Sequence, residues 1–248
     1  MIDQEFSIDS PSARVQLRSG SLEIRPGDPG VIRVLVDTRD DAFLIDRRGD
    51  TIIIGRNGGG RRLSWAAVTL QVPQGCDITF TASSAGVTST QSLGRFEVAT
   101  SSGDIRFGTV RRLQAKSASG NIRGDAVTGE ARVVTASGDI KIGSVGERGS
   151  LSTASGDIRI DSSDATLSVA TVSGDVRVER MAGPELQAKS MSGRVRLGIP
   201  SGTRLDLDAN TFSGRVRLPD PDPDPAPPER EMSVKVRLVS GDLKITRV

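Results

Sequence analysis

Eight Ser-Gly pairs, at 102-103, 119-120, 137-138, 155-156, 173-174, 192-193, 213-214 and 240-241, have apolar and polar residues alternating on both sides. The glycines are separated by 17, 18, 18, 18, 19, 21 and 27 residues. Five copies continue with Asp (Asp104, Asp139, Asp157, Asp175, Asp242), one with Asn121, and two with Arg194 and Arg215. Counting back from Ser by two, four and six gives Thr100, Val98, Phe96 in one copy and Thr171, Val169, Leu167 in another. Counting forward by three and five gives Ile140/Ile142, Ile158/Ile160 and Val176/Val178. Period two is the mark of strands that bury one face. The parity slips by one at Ser-Gly, as at a corner where Gly takes a conformation that other residues resist and Asp or Asn tolerates the next position.

Each repeat therefore holds two short strands, a Gly corner and a connecting loop. One such coil cannot bury its apolar face alone, whereas stacked coils hydrogen-bond in parallel and share a core. The expected fold is all-β: a parallel β-solenoid, or β-helix, with coils of about 18 residues. Right-handed winding follows from the rule for parallel crossovers. Composition agrees, because aromatics make up only 3% with no Tyr, and a narrow solenoid interior is filled by Val, Ile, Leu, Ala and Thr without large rings.

Residues 1–74 are less regular and are expected to form irregular coils or a cap continuous with the solenoid. Val15, Leu17, Ser19-Gly20, Leu22, Ile24 repeats the same offsets, so the array begins early. Residues 75–248 form the regular array. It is interrupted at 219–231 by Pro-Asp-Pro-Asp-Pro-Asp-Pro-Ala-Pro-Pro-Glu-Arg-Glu, an extended insert that cannot join a sheet, and a final coil follows it.

The repeated Ser-Gly-Asp-Ile-Arg-Ile units, entered through Val-Thr-Leu-x-Val-Pro-x-Gly at 68–75, resemble the bacterial β-strand-repeat family called "putative adhesin", a family of unknown function. The resemblance covers about residues 13–248. It implies a right-handed parallel β-helix, no known catalytic activity and no cofactor. Such domains commonly occur with envelope or membrane-stress systems.

Four residue patterns are candidates for a site. The first is a ladder of outward bases: Arg106, Arg123, Lys141, Arg159, Arg177, Arg196, Arg217 and Lys244, beside the column Asp104, Asn121, Asp139, Asp157, Asp175. Much of it reads as a solvated face whose charges offset each other. The second is sharper: where Arg replaces Asp, the ladder becomes Arg194, Arg196, Arg215 and Arg217, a candidate anion- or partner-binding patch. Residues 186–218 hold six bases and two acids, whereas 219–231 hold five acids and one base, so the insert is expected to lie near the patch and partly mask it. The third is an inward hydroxyl column, Thr100, Ser117, Thr135, Thr153, Thr171, Ser190 and Thr211, which reads as hydrogen bonding along the stack. The fourth is calcium, but one Asp per coil supplies too few oxygens. Cys76 reads as a packed thiol, and the Gly-rich loop at 55–62 lacks a phosphate-loop context.

The chain has no histidine and so lacks the commonest general base and transition-metal ligand. A polysaccharide-active enzyme is accordingly the weakest reading. The favoured one is a non-catalytic binding or scaffold protein, for a protein or an anionic surface. The alternative is a structural protein that polymerises end to end through open solenoid ends, as the β-helical bactofilins do. Nucleic acid is disfavoured because few aromatics are available for stacking. No apolar run is long enough to span a membrane and residues 1–5 lack the pattern of a signal peptide, so a cytoplasmic location is expected.

Overall fold

A computed structural model describes residues 2–38, 43–56, 65–219 and 230–248. Among these every regular element is a β-strand, so no helix is long and apolar enough to cross a membrane. The chain forms two compact units, 1–125 and 126–248.

The first unit contains β1 (Ile2–Ser7), β2 (Ser12–Pro26), β3 (Val31–Thr38), β4 (Phe43–Arg48), β5 (Thr51–Arg56), β6 (Trp65–Val72), β7 (Asp77–Ser89), β8 (Leu93–Thr100) and β9 (Ile105–Ser117). The long strands β2 and β7 each bend through a corner and pair in parallel along both arms, Val15 opposite Phe80 and Leu22 opposite Val87. Segment 12–26 is thus a coil of the array. A feature outside the parallel repeat covers its other side. β6 lies parallel to β2 but antiparallel to β3, β3 is antiparallel to β1, and β4 is antiparallel to β5. These antiparallel pairings all fall within the stretch 1–74 expected to form irregular coils or a cap.

After β10 (Ile122–Val127), the second unit contains β11 (Glu130–Thr135), β12 (Ile140–Val145), β13 (Arg148–Thr153), β14 (Ile158–Ser163), β15 (Thr166–Ser173), β16 (Val176–Met181), β17 (Glu185–Ser192), β18 (Val195–Ile199), β19 (Thr203–Ser213), β20 (Val216–Arg217), β21 (Arg230–Ser240) and β22 (Leu243–Arg247). Its pairings are parallel and bring like residues together: Val133, Leu151, Val169 and Ala188 in one column, Ile140, Ile158, Val176 and Val195 in the other. All eight are buried. Each Val, Leu or Ile among them contributes about 1.5–3 kcal/mol when removed from water, which is why strict alternation suffices to hold the rungs in register.

The corner works by close approach. A Cβ on Gly156 would stand 2.2 Å from the carbonyl oxygen of Gly138, one on Gly174 2.1 Å from that of Gly156, and one on Gly193 2.0 Å from that of Gly174. No side chain fits between these stacked backbones. Positive φ accompanies the corner only at Gly20, Gly193, Gly214 and Gly241. The conformational reason expected from sequence therefore holds for some corners, and the steric one for all of these. The inward hydroxyls complete the corner. Thr135 Oγ1 accepts the Gly138 N–H at 3.2 Å, Ser117 Oγ the Gly120 N–H at 2.8 Å, and Thr153 Oγ1 donates to the Gly138 carbonyl at 3.2 Å.

The order of the rungs departs from the order of the chain. β21 pairs with β17 on one side and with β19 on the other. β22 likewise sits between β18 and β20. The C-terminal coil, which follows the insert in sequence, is slotted between two coils that are consecutive in sequence. The last rung is 203–217. Its inward residues Leu205, Leu207, Ala209 and Thr211 are only half-buried, and Val216 and Leu218 are exposed.

Candidate functional site

The Asp that follows most corner glycines has a structural task. Its carboxylate accepts the backbone N–H of the corresponding residue one rung on: Asn121 to Asp104 at 3.0 Å, Asp157 to Asp139 at 3.0 Å, Asp175 to Asp157 at 2.8 Å, Arg194 to Asp175 at 2.9 Å. The last step is Arg215 to Asp242 at 2.9 Å, which again places the C-terminal coil directly beneath the terminal one. Burial alone would raise the Asp175 carboxyl, but the backbone N–H and guanidinium of Arg194, with Arg196 nearby, hold it below the usual carboxylate range. Arg215 stands on the final rung, where no further N–H needs an acceptor, so loss of Asp costs the corner little there.

The four arginines singled out in sequence lie on the outer rungs of this unit, but not as one run. Asp242 and Lys244 stand between the Arg194/Arg196 rung and the Arg215/Arg217 rung. One column thus reads Asp175, Arg194, Asp242, Arg215, and its neighbour Arg177, Arg196, Lys244, Arg217. The first alternates in sign; the second is wholly basic. Arg194 is engaged by Asp175 at 2.8 Å. Lower in the basic column Arg159 meets Asp161 and Glu179, both at 3.0 Å, and Arg177 also meets Glu179. Arg196, Arg215, Arg217 and Lys244 meet no carboxylate within ion-pair distance among the described residues. Arg123 and Lys141 of the ladder likewise meet none among the described residues, but only these four stand together on the outer rungs. The acidic residues expected to mask them lie mainly in 220–229, outside the described residues, as does most of the loop at 55–62.

Sequence reasoning missed one feature. The residue immediately before Ser-Gly points outward at the corner, and in the outer four rungs it is large and apolar. Register places Val172, Met191, Val239 and Phe212 in one column, exposed by 46%, 56%, 51% and 91%. The signal was legible only after the rungs were put in spatial order.

Other candidates resolve into structure. Cys76 is buried, and burial, with Asp77 adding, pushes its thiol up to about 12, so it packs and does not react near neutrality. No group of three His, Cys, Asp or Glu side chains among the described residues could hold a metal ion.

The Toastrack DUF4097 family model matches residues 66–247, which takes in the regular array, its corners and its insert. The chain belongs to the Toastrack family. Three solved structures are similar across the whole chain. A putative adhesin from Bacteroides fragilis is 12% identical over 100% of this chain and 96% of its own, with a TM-score of 0.46. One from Parabacteroides merdae is 14% identical, over 100% and 95%, at 0.47. A protein from Parabacteroides distasonis described as a putative lipid binding protein is 14% identical, over 100% and 96%, at 0.48. No curated protein matches the chain in sequence. Most corner hydroxyls and carboxylates of this Toastrack array hydrogen-bond within the stack, with Ser190 Oγ buried and without a hydrogen-bond partner among the described residues.

Proposed function

We propose that this Toastrack chain is a non-catalytic binding module with right-handed coils of about 18 residues, whose contact region is the outer rungs of residues 126–248 and whose partner is anionic. The observation that carries the reading is the group Arg196, Arg215, Arg217 and Lys244, cations without an ion-pair partner among the described residues. The coils 185–199, 203–217 and 230–248 together hold eleven bases against five acids. Unsatisfied, solvated cations in two adjacent columns attract anions at low ionic strength and lose them as salt screens the field.

The test is binding of inorganic polyphosphate to the full chain across a salt series. Replacing Arg196, Arg215 and Arg217 with Glu is expected to weaken binding about tenfold or more at low salt, and to reduce the salt dependence. Equal affinity of this variant and the parent would overturn the reading. These side chains are outward-facing, so the variant keeps its fold.

A second reading has its own observation. Among the described residues, the terminal coil 203–217 leaves its inward residues half-covered and one strand edge unpaired, which favours end-on association of copies as in a polymerising scaffold. Light scattering over a concentration series separates the two: growing mass supports the scaffold, and a constant small species supports the binding module.

A further inference from the structure

The apolar ridge at the corner is not required by the fold. The position before Ser-Gly holds Ala136 and Ala154 on earlier rungs of the same unit, so the corner closes without a large side chain there. On the outer four rungs it holds Val172, Met191, Val239 and Phe212, each exposed. Rungs lie about 4.8 Å apart, so the four form a straight edge about 14 Å long. Contiguous apolar groups kept in water by a folded chain mark a contact surface.

The surroundings of the ridge identify the contact. Following the outer contour of the coil, Lys189 precedes Met191, and Arg194 and Arg196 follow it. Arg237 precedes Val239 and Lys244 follows, and Arg215 and Arg217 follow Phe212. Lys189, Arg196, Arg215, Arg217 and Lys244 have no carboxylate partner among the described residues. A protruding apolar edge with Arg196, Lys244, Arg215 and Arg217 unpaired along one side, beside Asp175 and Asp242, and Lys189 unpaired on the other, where Arg237 is held by Asp208, matches an interface where phosphate headgroups lie immediately above hydrocarbon. Apolar side chains enter the acyl boundary while the bases stay at the anionic headgroups. A soluble polyanion would use the bases and leave the ridge in water, and a single-stranded nucleic acid would want several stacking rings where the ridge offers only Phe212.

We infer that the corner edge Val172–Met191–Val239–Phe212, with its flanking lysine and arginines, is a docking edge for an anionic lipid bilayer surface. This rests on the anion-binding reading above and adds the class of partner. The edge inserts shallowly, so binding needs both components and is lost when either is removed.

The experiment uses the full chain with vesicles of phosphatidylcholine mixed with phosphatidylglycerol, vesicles of phosphatidylcholine alone, and inorganic polyphosphate. The parent is expected to bind the mixed vesicles and not the neutral ones. The variant Met191→Ser, Val239→Ser, Phe212→Ser is expected to bind mixed vesicles about tenfold more weakly or worse while its polyphosphate affinity stays unchanged. As an independent readout, Phe212→Trp in a Trp65→Phe background should shift its emission to the blue on adding mixed vesicles and not on adding polyphosphate. Serine variants that bind vesicles like the parent, or an indole emission from the Phe212→Trp variant that does not move, overturn the docking edge. So does a fall in self-association of the serine variant without lipid, which would make the ridge a contact between copies. If polyphosphate binds and vesicles do not, the bilayer inference fails and the anion-binding reading stands. If neither binds, the anion-binding reading itself fails.

Discussion

Gly174→Ala should cost more than about 3 kcal/mol, enough to melt the C-terminal unit well below the parent in a denaturant titration. The added Cβ would lie 2.1 Å from the Gly156 carbonyl oxygen and 2.7 Å from its carbon, so rungs held by parallel pairing on both arms would have to separate. Gly75→Ala is the matched control. Gly75 has φ of +79° and no atom within 4 Å of its would-be Cβ, so it carries only the left-handed penalty of about 1–2 kcal/mol. If Gly174→Ala proved as mild as Gly75→Ala, the close-approach account of the corner would be wrong.

Ile245→Ala should destabilise by about 3 kcal/mol, whereas Leu218→Ala should cost under about 1 kcal/mol. The two residues stand at the same place in their coils, but Ile245 is 1% exposed and Leu218 59% exposed. The contrast follows from rung order. The C-terminal coil is packed on both sides, by β18 and β20, and the coil that precedes it in sequence forms the end. Had the chain stacked in sequence order, Ile245 would line the open end and the ranking would reverse. Denaturation midpoints of the two variants decide between these arrangements, and amide exchange should show the same order, with β21 and β22 outlasting β19 and β20.

Much of the candidate site was readable from residue types and little from their spacing. Arg194, Arg196, Arg215 and Arg217 stood out because each pair replaces or follows the Asp of the corner. Their separation by Asp242 and Lys244 could not be read, since nothing local to the segment 203–217 says which coil lies beneath it. The apolar ridge was hidden for the same reason. In chain order Met191 is followed by Phe212 and then Val239, at irregular intervals, and one apolar residue beside a Ser-Gly corner is unremarked among 35% hydrophobic residues. The antiparallel pairings of β1, β3 and β4 escaped as well, because an antiparallel strand with one buried face carries the same alternation as a parallel one.

The coil itself was determined by the sequence alone: period-two alternation sets which face is buried, and Ser-Gly-Asp sets where the chain turns, because both act over a few residues. The order of the coils was decided only in the tertiary structure. Leu186, Val234 and Leu207 are interchangeable as rungs of one column, as are Ala188, Val236 and Ala209, and Gly193, Gly241 and Gly214, so each coil could stack on either of the others with similar burial. The Asp242 carboxylate favours the observed order. With the C-terminal coil slotted in, Asp242 lies between Arg194 and Arg215 and accepts the Arg215 N–H at 2.9 Å. Stacking in chain order would set two arginines directly against each other and leave that N–H over a side chain that cannot accept it.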